Sequence, residues 1–237
     1  MRRMTACLAV LLAALPGPAA ACRLALLLAL DVSASVDRTE YRLQAAGTAA
    51  ALLSAPVRAA ILAEPGSIAI AAFVWSGEAD HDRIADWTLI DAPATLERLA
   101  ARIAAHPRPA AFDGRTGIGA AMLAAAREFA RAPDCRARTL DIATDGENNA
   151  GPAPETVRRR PALAGITINA LSIGGDLPFD HETLDLAAGP LTAYLTRNVI
   201  HGPGAFVEQA EDYPDVERAM TRKLLRELQG MMIGALR

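Results

Sequence analysis

Four apolar runs of strand length, separated by stretches of helical periodicity, constrain this chain more than any other feature. Residues 23–30 read RLALLLAL, 67–75 SIAIAAFVW, 138–144 RTLDIAT and 165–173 GITINALSI. Nearly unbroken apolarity, rather than in-and-out alternation, is what a strand covered on both faces requires. Residues 83–90 are more polar and suit a sheet edge, and 205–209 form a short last strand. Between the strands, Asp37-Arg-Thr-Glu40 reads as a capping box, with Leu43, Ala46, Ala50 and Leu53 following at helical spacing. Ser54-Ala-Pro56 restarts a short helix, and Pro93 opens one carrying Leu96, Leu99 and Ile103. Ile118, Met122, Ala125 and Phe129 mark another, and residues 181–197 read as helix broken at Gly189-Pro190. Pro214 starts the last, with Val216, Met220, Leu224, Leu225 and Leu228. Strands alternating with helices predict an α/β fold: a mostly parallel sheet with helices on both faces.

The first 21 residues stand apart. Arg2 and Arg3 precede an apolar run at 6–15, Pro16-Gly17-Pro18 breaks it, and Ala19-Ala20-Ala21 supplies small residues for cleavage. This is the pattern of a secretory signal peptide, and the run is too short for a permanent membrane anchor. A buried N-terminal helix is the competing reading, but Pro-Gly-Pro would end it early. The remainder, 22–237, reads as one domain, and no other segment is apolar and long enough to span a bilayer. With 52% hydrophobic and 22% charged residues the chain is globular. Its net charge of -3, which becomes more negative once Arg2 and Arg3 leave, excludes the basic excess of a nucleic-acid binder. The basic run Arg158-Arg159-Arg160 reads as a solvated surface connection. The expected compartment is therefore outside the cytoplasm, periplasmic or secreted.

Cys7 leaves with the signal, so Cys22 and Cys135 remain. Cys22 lies nine residues before Asp31 and Cys135 ten before Asp145, and both aspartates end apolar runs. If those runs are neighbouring parallel strands, the thiols meet at the end of the pair away from the aspartates. A structural disulfide is expected there. The alternative is a lipid on Cys22, since Ala19-Ala20-Ala21-Cys22 approximates a lipoprotein cleavage box but lacks its leucine.

Ligands of such sheets sit where strands end in loops at the carboxyl edge. There the chain places Asp31-Val-Ser33-Ala-Ser35, Thr116-Gly-Ile-Gly119 and Asp145-Gly-Glu147-Asn148-Asn149. Two carboxylates and three hydroxyls are hard oxygen donors, suited to magnesium or to manganese or calcium. Glu147, Asn148 and Asn149 either touch a ligand at the rim or form a hydrogen-bonded turn with Gly146 and Gly151.

Asp31-x-Ser33-x-Ser35, Thr116 and Asp145-Gly146 resemble the metal-ion-dependent adhesion site (MIDAS) of von Willebrand factor type A domains. The finer pattern is similar to a bacterial exported family of unknown function built on that domain. It is carried by DVSASVD at 31–37, the helix with Gln44, FVWSG at 73–77, CRARTLDIATDGENNAG at 135–151, GITINALSI at 165–173 and VIHGPGAFV at 199–207. The resemblance implies a Rossmann-like sheet with one antiparallel edge strand, direct cation ligation by Ser33, Ser35 and Thr116, and water-mediated ligation by Asp31 and Asp145. Ala143-Thr144 departs from the more apolar approach to the second aspartate seen in many such domains. The function implied is an exported, non-enzymatic module that docks an Asp or Glu of a protein partner through the cation.

Two other readings stand beside it: a metal-assisted hydrolase using Glu147, and a metal-free scaffold. Gly117-Ile-Gly119 follows a loop and lacks a third glycine, so it is no dinucleotide fingerprint. His81, His106, His181 and His201 are scattered and read as surface-loop residues; His181-Glu182 lacks the second histidine of a zinc protease. Trp75 and Trp87 are expected to pack at the edge hairpin, with ligand contact by Trp75 as the alternative.

Overall fold

The computed structural model describes residues 22–62, 66–174 and 189–234. The expected leader, the first half of the helix expected at 181–197, His181 and Glu182 lie outside them. In chain order the elements are β1 (Cys22–Asp31), α1 (Arg38–Leu53), α2 (Ala55–Leu62), β2 (Ile68–Trp75), β3 (His81–Ile90), α3 (Pro93–Ala105), α4 (Ile118–Phe129), β4 (Cys135–Thr144), α5 (Pro154–Val157), β5 (Ile166–Ile173), α6 (Pro190–Asn198), β6 (Val207–Ala210) and α7 (Val216–Gly234). A 3-10 turn at Pro161–Leu163 follows α5.

The strands form one sheet in the order β3-β2-β1-β4-β5-β6. All neighbours are parallel except β2 and β3, so the polar strand does lie antiparallel at an edge. The nearly unbroken apolarity of β1 and β2 has its expected cause, because both faces of the sheet are covered. Leu24, Leu26, Leu28 and Leu30 of β1 pack with α1, α2, α3 and α7, whereas Ala25, Leu27 and Ala29 pack with α4, α5 and α6. From β1 the chain moves outward to β2, and from β4 it moves the other way to β5. The β1–β4 pair is thus where strand order reverses, the position at which such sheets bind ligands.

Cys22 and Cys135 are register partners in that pair and are joined by a disulfide with Cα atoms 4.5 Å apart. The sulfur of Cys22 is therefore committed to Cys135 and is not free for a lipid thioether.

The N-terminus of α1 is built as read. Asp37 Oδ1 accepts from Thr39 N and Glu40 N, and Glu40 Oε2 accepts from Asp37 N at 2.7 Å. Its buried face differs from the expected one. Leu43 is 37% exposed, while Tyr41, Gln44, Ala45, Gly47, Thr48 and Leu52 face inward. The cause is close approach by α7: a Cβ at Gly47 would lie 2.9 Å from Glu217 N. Small residues, not large apolar ones, permit that contact.

One further reading needs correction. Arg158 is not simply solvated, since its guanidinium donates to the carbonyls of Ile200 at 2.7 Å and Arg197 at 2.8 Å, tying α5 to the end of α6. The strand at 138–144 also buries a charge. Asp141 is 1% exposed and pairs with fully buried Lys223 of α7, which also bonds Glu227 Oε1 at 2.7 Å. Asn169 of β5 donates to Glu227 at 2.7 Å and accepts from Phe206 N at 3.1 Å. Burial alone would neutralise Lys223, but the flanking carboxylates outweigh it and hold its pKa above the ordinary value.

Candidate metal centre

The three loops named from the sequence meet at the carboxyl edge, above the β1–β4 pair. Asp31 ends β1 with its side chain fully buried. Its Oδ1 accepts from Ser33 N at 2.7 Å and its Oδ2 from the Thr144 hydroxyl at 2.6 Å. Ser33 is also fully buried, and its hydroxyl lies 3.1 Å from that of Ser35. Ser35 donates to Asp145 Oδ1 at 2.7 Å, so Ser33 donates to Ser35. One chain of hydroxyls thus joins the loop after β1 to the loop after β4, across 110 residues of sequence.

Thr116 enters from a third direction. Its N–H donates to Asn149 Oδ1 at 2.8 Å, and its carbonyl accepts from Asn149 N at 2.9 Å. A Cβ built on Gly146 would lie 3.6 Å from Thr116 Oγ1, so this hydroxyl sits against the backbone beside Asp145. Asn148 Oδ1 accepts from Gly119 N at 3.1 Å. The side-chain oxygens of Asn148 and Asn149 are therefore spent on closing the loop around the start of α4, while Glu147 is exposed.

Several supporting residues lie outside the five-ligand motif, although the helix with Gln44 is part of the family resemblance. Thr144, noted only as a departure from pattern, anchors Asp31. Tyr213, in the loop before α7, donates its hydroxyl to Asp145 Oδ2 at 3.0 Å. Gln44 of α1 donates to the Asp31 carbonyl at 3.0 Å. Arg108 grips the loop from behind: Nε donates to the Val36 carbonyl at 3.1 Å, and Nη2 to those of Val32 at 2.9 Å and Ser33 at 3.0 Å. Gly114, at φ 80°, lets the 106–115 loop pass close to Ala34, whose N–H donates to its carbonyl at 2.7 Å.

Trp75 is 1% exposed and packs in the core beside Phe73, which rules out the ligand contact considered for it. Trp87 instead lies 5.5 Å from Phe129 and donates to the Glu128 carbonyl at 3.0 Å. His106 is no surface residue either. Its Nδ1 is 3.0 Å from the hydroxyl of buried Tyr41, and its Nε2 is 3.6 Å from Asp82.

The electrostatics of the site are lopsided. Burial pushes the Asp31 carboxyl up to about 7, against the Thr144 hydrogen bond, and the nearby Asp145 carboxylate pushes the same way. Burial and Asp145 also raise the Tyr213 hydroxyl far above its ordinary value, keeping it a proton donor. No Lys, Arg or His side chain hydrogen-bonds either carboxylate among the described residues, and Arg108 faces only backbone carbonyls. No three His, Cys, Asp or Glu side chains gather there as a metal cluster. The donor set is two carboxylates and three neutral hydroxyls, which fits a hard divalent cation and not a soft-metal site.

Comparison with solved structures agrees with this architecture. Proximal thread matrix protein 1 from the mussel byssus, in a structure with zinc in its MIDAS motif, is 15% identical with a TM-score of 0.58; the match covers 88% of this chain and 48% of that one. BatB from Bacteroides thetaiotaomicron is 16% identical with a TM-score of 0.56, over 88% of this chain and 98% of that one. A von Willebrand factor type A protein from Catenulispora acidiphila is 19% identical with a TM-score of 0.51, over 87% and 43%. The chain spans about half the length of the mussel chains it matches. A search of curated proteins returned no match. At these identities the likeness is one of fold, and the fold is that of von Willebrand factor type A domains. Within that fold, a family model matches residues 21–232, and the chain belongs to the family described as "Protein of unknown function (DUF1194)".

Proposed function

We propose that the protein is an exported binding module that holds magnesium, or manganese or calcium in its place, and docks an Asp or Glu of a protein partner through that ion. One observation carries the reading: Asp31, Ser33, Ser35, Thr116 and Asp145 approach one point from three distant loops, where no basic side chain among the described residues hydrogen-bonds either carboxylate. The cation supplies the missing positive charge and a bridge to an outside carboxylate. Ser33, Ser35 and Thr116 offer neutral oxygens that leave the ion's charge undiminished. Asp31 and Asp145 would hold its waters, with Thr144 and Tyr213 fixing their orientation. The Cys22–Cys135 disulfide supports export, because such bonds persist in oxidising compartments. No single helix among the described residues is long and apolar enough to cross a membrane. In this reading residues 1–21 are removed, and one domain remains from residue 22.

Titration calorimetry with magnesium tests the assignment. Asp31→Ala should abolish binding; a variant that binds as tightly as the wild type would show the ion is held elsewhere. The protein is read as a binder, not a hydrolase, so phosphoesters and peptides should show no metal-dependent turnover.

A further inference from the structure

A cleft of about 500 Å³ opens between the start of α1 and the loop that follows α3. Its charged and polar lining is Arg38, Tyr41, Arg42, His106 and Arg108; the remainder is alanine and proline, and no acidic side chain contributes. Three guanidinium groups in one cleft run against the chain's net charge of -3. The nearest acids are partly committed to other groups: Asp37 Oδ1 accepts two backbone N–H groups of α1 while still feeling Arg42 and Arg108, Glu40 Oε2 accepts the Asp37 N–H, and Asp82 lies 3.6 Å from His106. Arg38 and Arg42 are exposed and form no ion pair among the described residues; Arg42 only reaches the Thr39 hydroxyl at 3.3 Å. The wall behind them is stiff. Tyr41 is 1% exposed and bonded to His106, and Arg108 is fixed by three carbonyls.

The cleft adjoins the candidate metal centre. Arg108 lines the cleft and holds the carbonyls of Val32, Ser33 and Val36, so one side chain belongs to both walls. Arg38 follows Ser35 by three residues, and Arg42 lies one helical turn further along α1. That turn spans about 6 Å of helix axis. An extended peptide covers that distance in about two residues and the reach from the metal loop in a few more.

We propose that this cleft is a second carboxylate subsite: a partner segment whose first acidic side chain sits at the metal places another, about four residues along, between Arg38 and Arg42. The planar guanidinium fork suits paired acceptance by a carboxylate. The proposal rests on the metal-dependent reading for the first contact only, and the two contacts are separable by experiment.

The probes are two synthetic peptides, Gly-Gly-Asp-Gly-Gly-Gly-Glu-Gly-Gly and the same peptide with Gln in place of Glu. Their affinities are measured in magnesium and in chelator on the wild type and on the Arg38→Gln/Arg42→Gln variant. On the wild type in magnesium, the Glu peptide should bind about fivefold to tenfold more tightly than the Gln peptide, as expected for two exposed ion pairs. The variant should erase that difference while leaving the Gln peptide and magnesium itself bound as before. Equal affinity of the two peptides on the wild type, a difference that survives in the variant, or no binding of either at millimolar concentration would each overturn the proposal. Loss of both peptides in chelator supports the joint reading. A Glu preference that depends on the arginines but survives chelation would keep the subsite and remove the metal reading. Inorganic phosphate serves as competitor: displacement of the Glu peptide by phosphate but not by acetate would overturn assignment to a carboxylate.

Discussion

Replacing both cysteines by serine gives the sharpest test of how this sheet is stabilised. Cys22 and Cys135 are 113 residues apart in sequence and are register partners at the start of β1 and β4. In the chain-entropy description, a crosslink closing a loop of this size stabilises the fold by about 4.8 kcal/mol at 25 °C. Removal of native disulfides typically costs about 2–5 kcal/mol, so a loss near 4 kcal/mol is expected. For a domain of this size that lowers the melting midpoint by about 8–16 °C. Urea unfolding followed by circular dichroism should show a lower midpoint and a steeper dependence on denaturant, because the uncrosslinked chain exposes more surface. Magnesium affinity should not change, since the ten residues of β1 put about 30 Å between the staple and Asp31. A Cys22→Ser/Cys135→Ser variant unfolding at the wild-type midpoint would refute the reasoning, because residual contacts in the unfolded chain would then already restrict it without the crosslink. A change of magnesium affinity beyond about threefold would refute the claim that the two ends are independent, as it exceeds ~0.5 kcal/mol.

Three further outcomes follow from the geometry. Thr144→Val keeps the shape but strips Asp31 Oδ2 of its donor, so it should cost about 1–3 kcal/mol in thermal unfolding and also weaken magnesium binding in calorimetry. Lys223→Met leaves Asp141 and Glu227 buried without their cation and should cost about 3–5 kcal/mol, with Asp141→Leu added in the same chain recovering part of the loss. Burial pushes the Glu128 carboxyl up, but Arg83 and Arg131 outweigh it and hold the carboxyl below its ordinary value. Its contribution is therefore present above the unfolded carboxylate range and lost as pH falls through the lowered folded value. Glu128→Gln should flatten the acid limb of the stability–pH curve, leaving a residual slope from Asp215, which Arg218 holds low in the same way.

The strands and the metal loops were legible because each depends on local pattern. An unbroken apolar run means two covered faces, and Asp31-x-Ser33-x-Ser35 lies within one turn of chain. The supporting shell was not legible because its members act across the sequence. Thr144 meets Asp31 at a separation of 113 residues, Tyr213 meets Asp145 at 68, and Arg108 meets Ser33 at 75. None is an unusual residue in its own neighbourhood. The inward face of α1 was misread for a related reason: apolar periodicity favours Leu43, but the approach of α7 at Gly47 requires small residues, and that packing appears only when the helices meet. Asp141 sat inside an apolar run with no local hint that Lys223, in the last helix, would answer its charge.

The central position of β1 sets the tempo at which this molecule assembles. Its partners are β2, starting at Ile68, and β4, starting at Cys135, so the earliest strand of this sheet waits for residues far along the sequence before both of its edges are filled. Pairings this distant make folding slow and leave an apolar strand uncovered in the meantime. Refolding should accordingly be slow and sensitive to protein concentration, and a chaperone that shields the nascent strand should raise the yield.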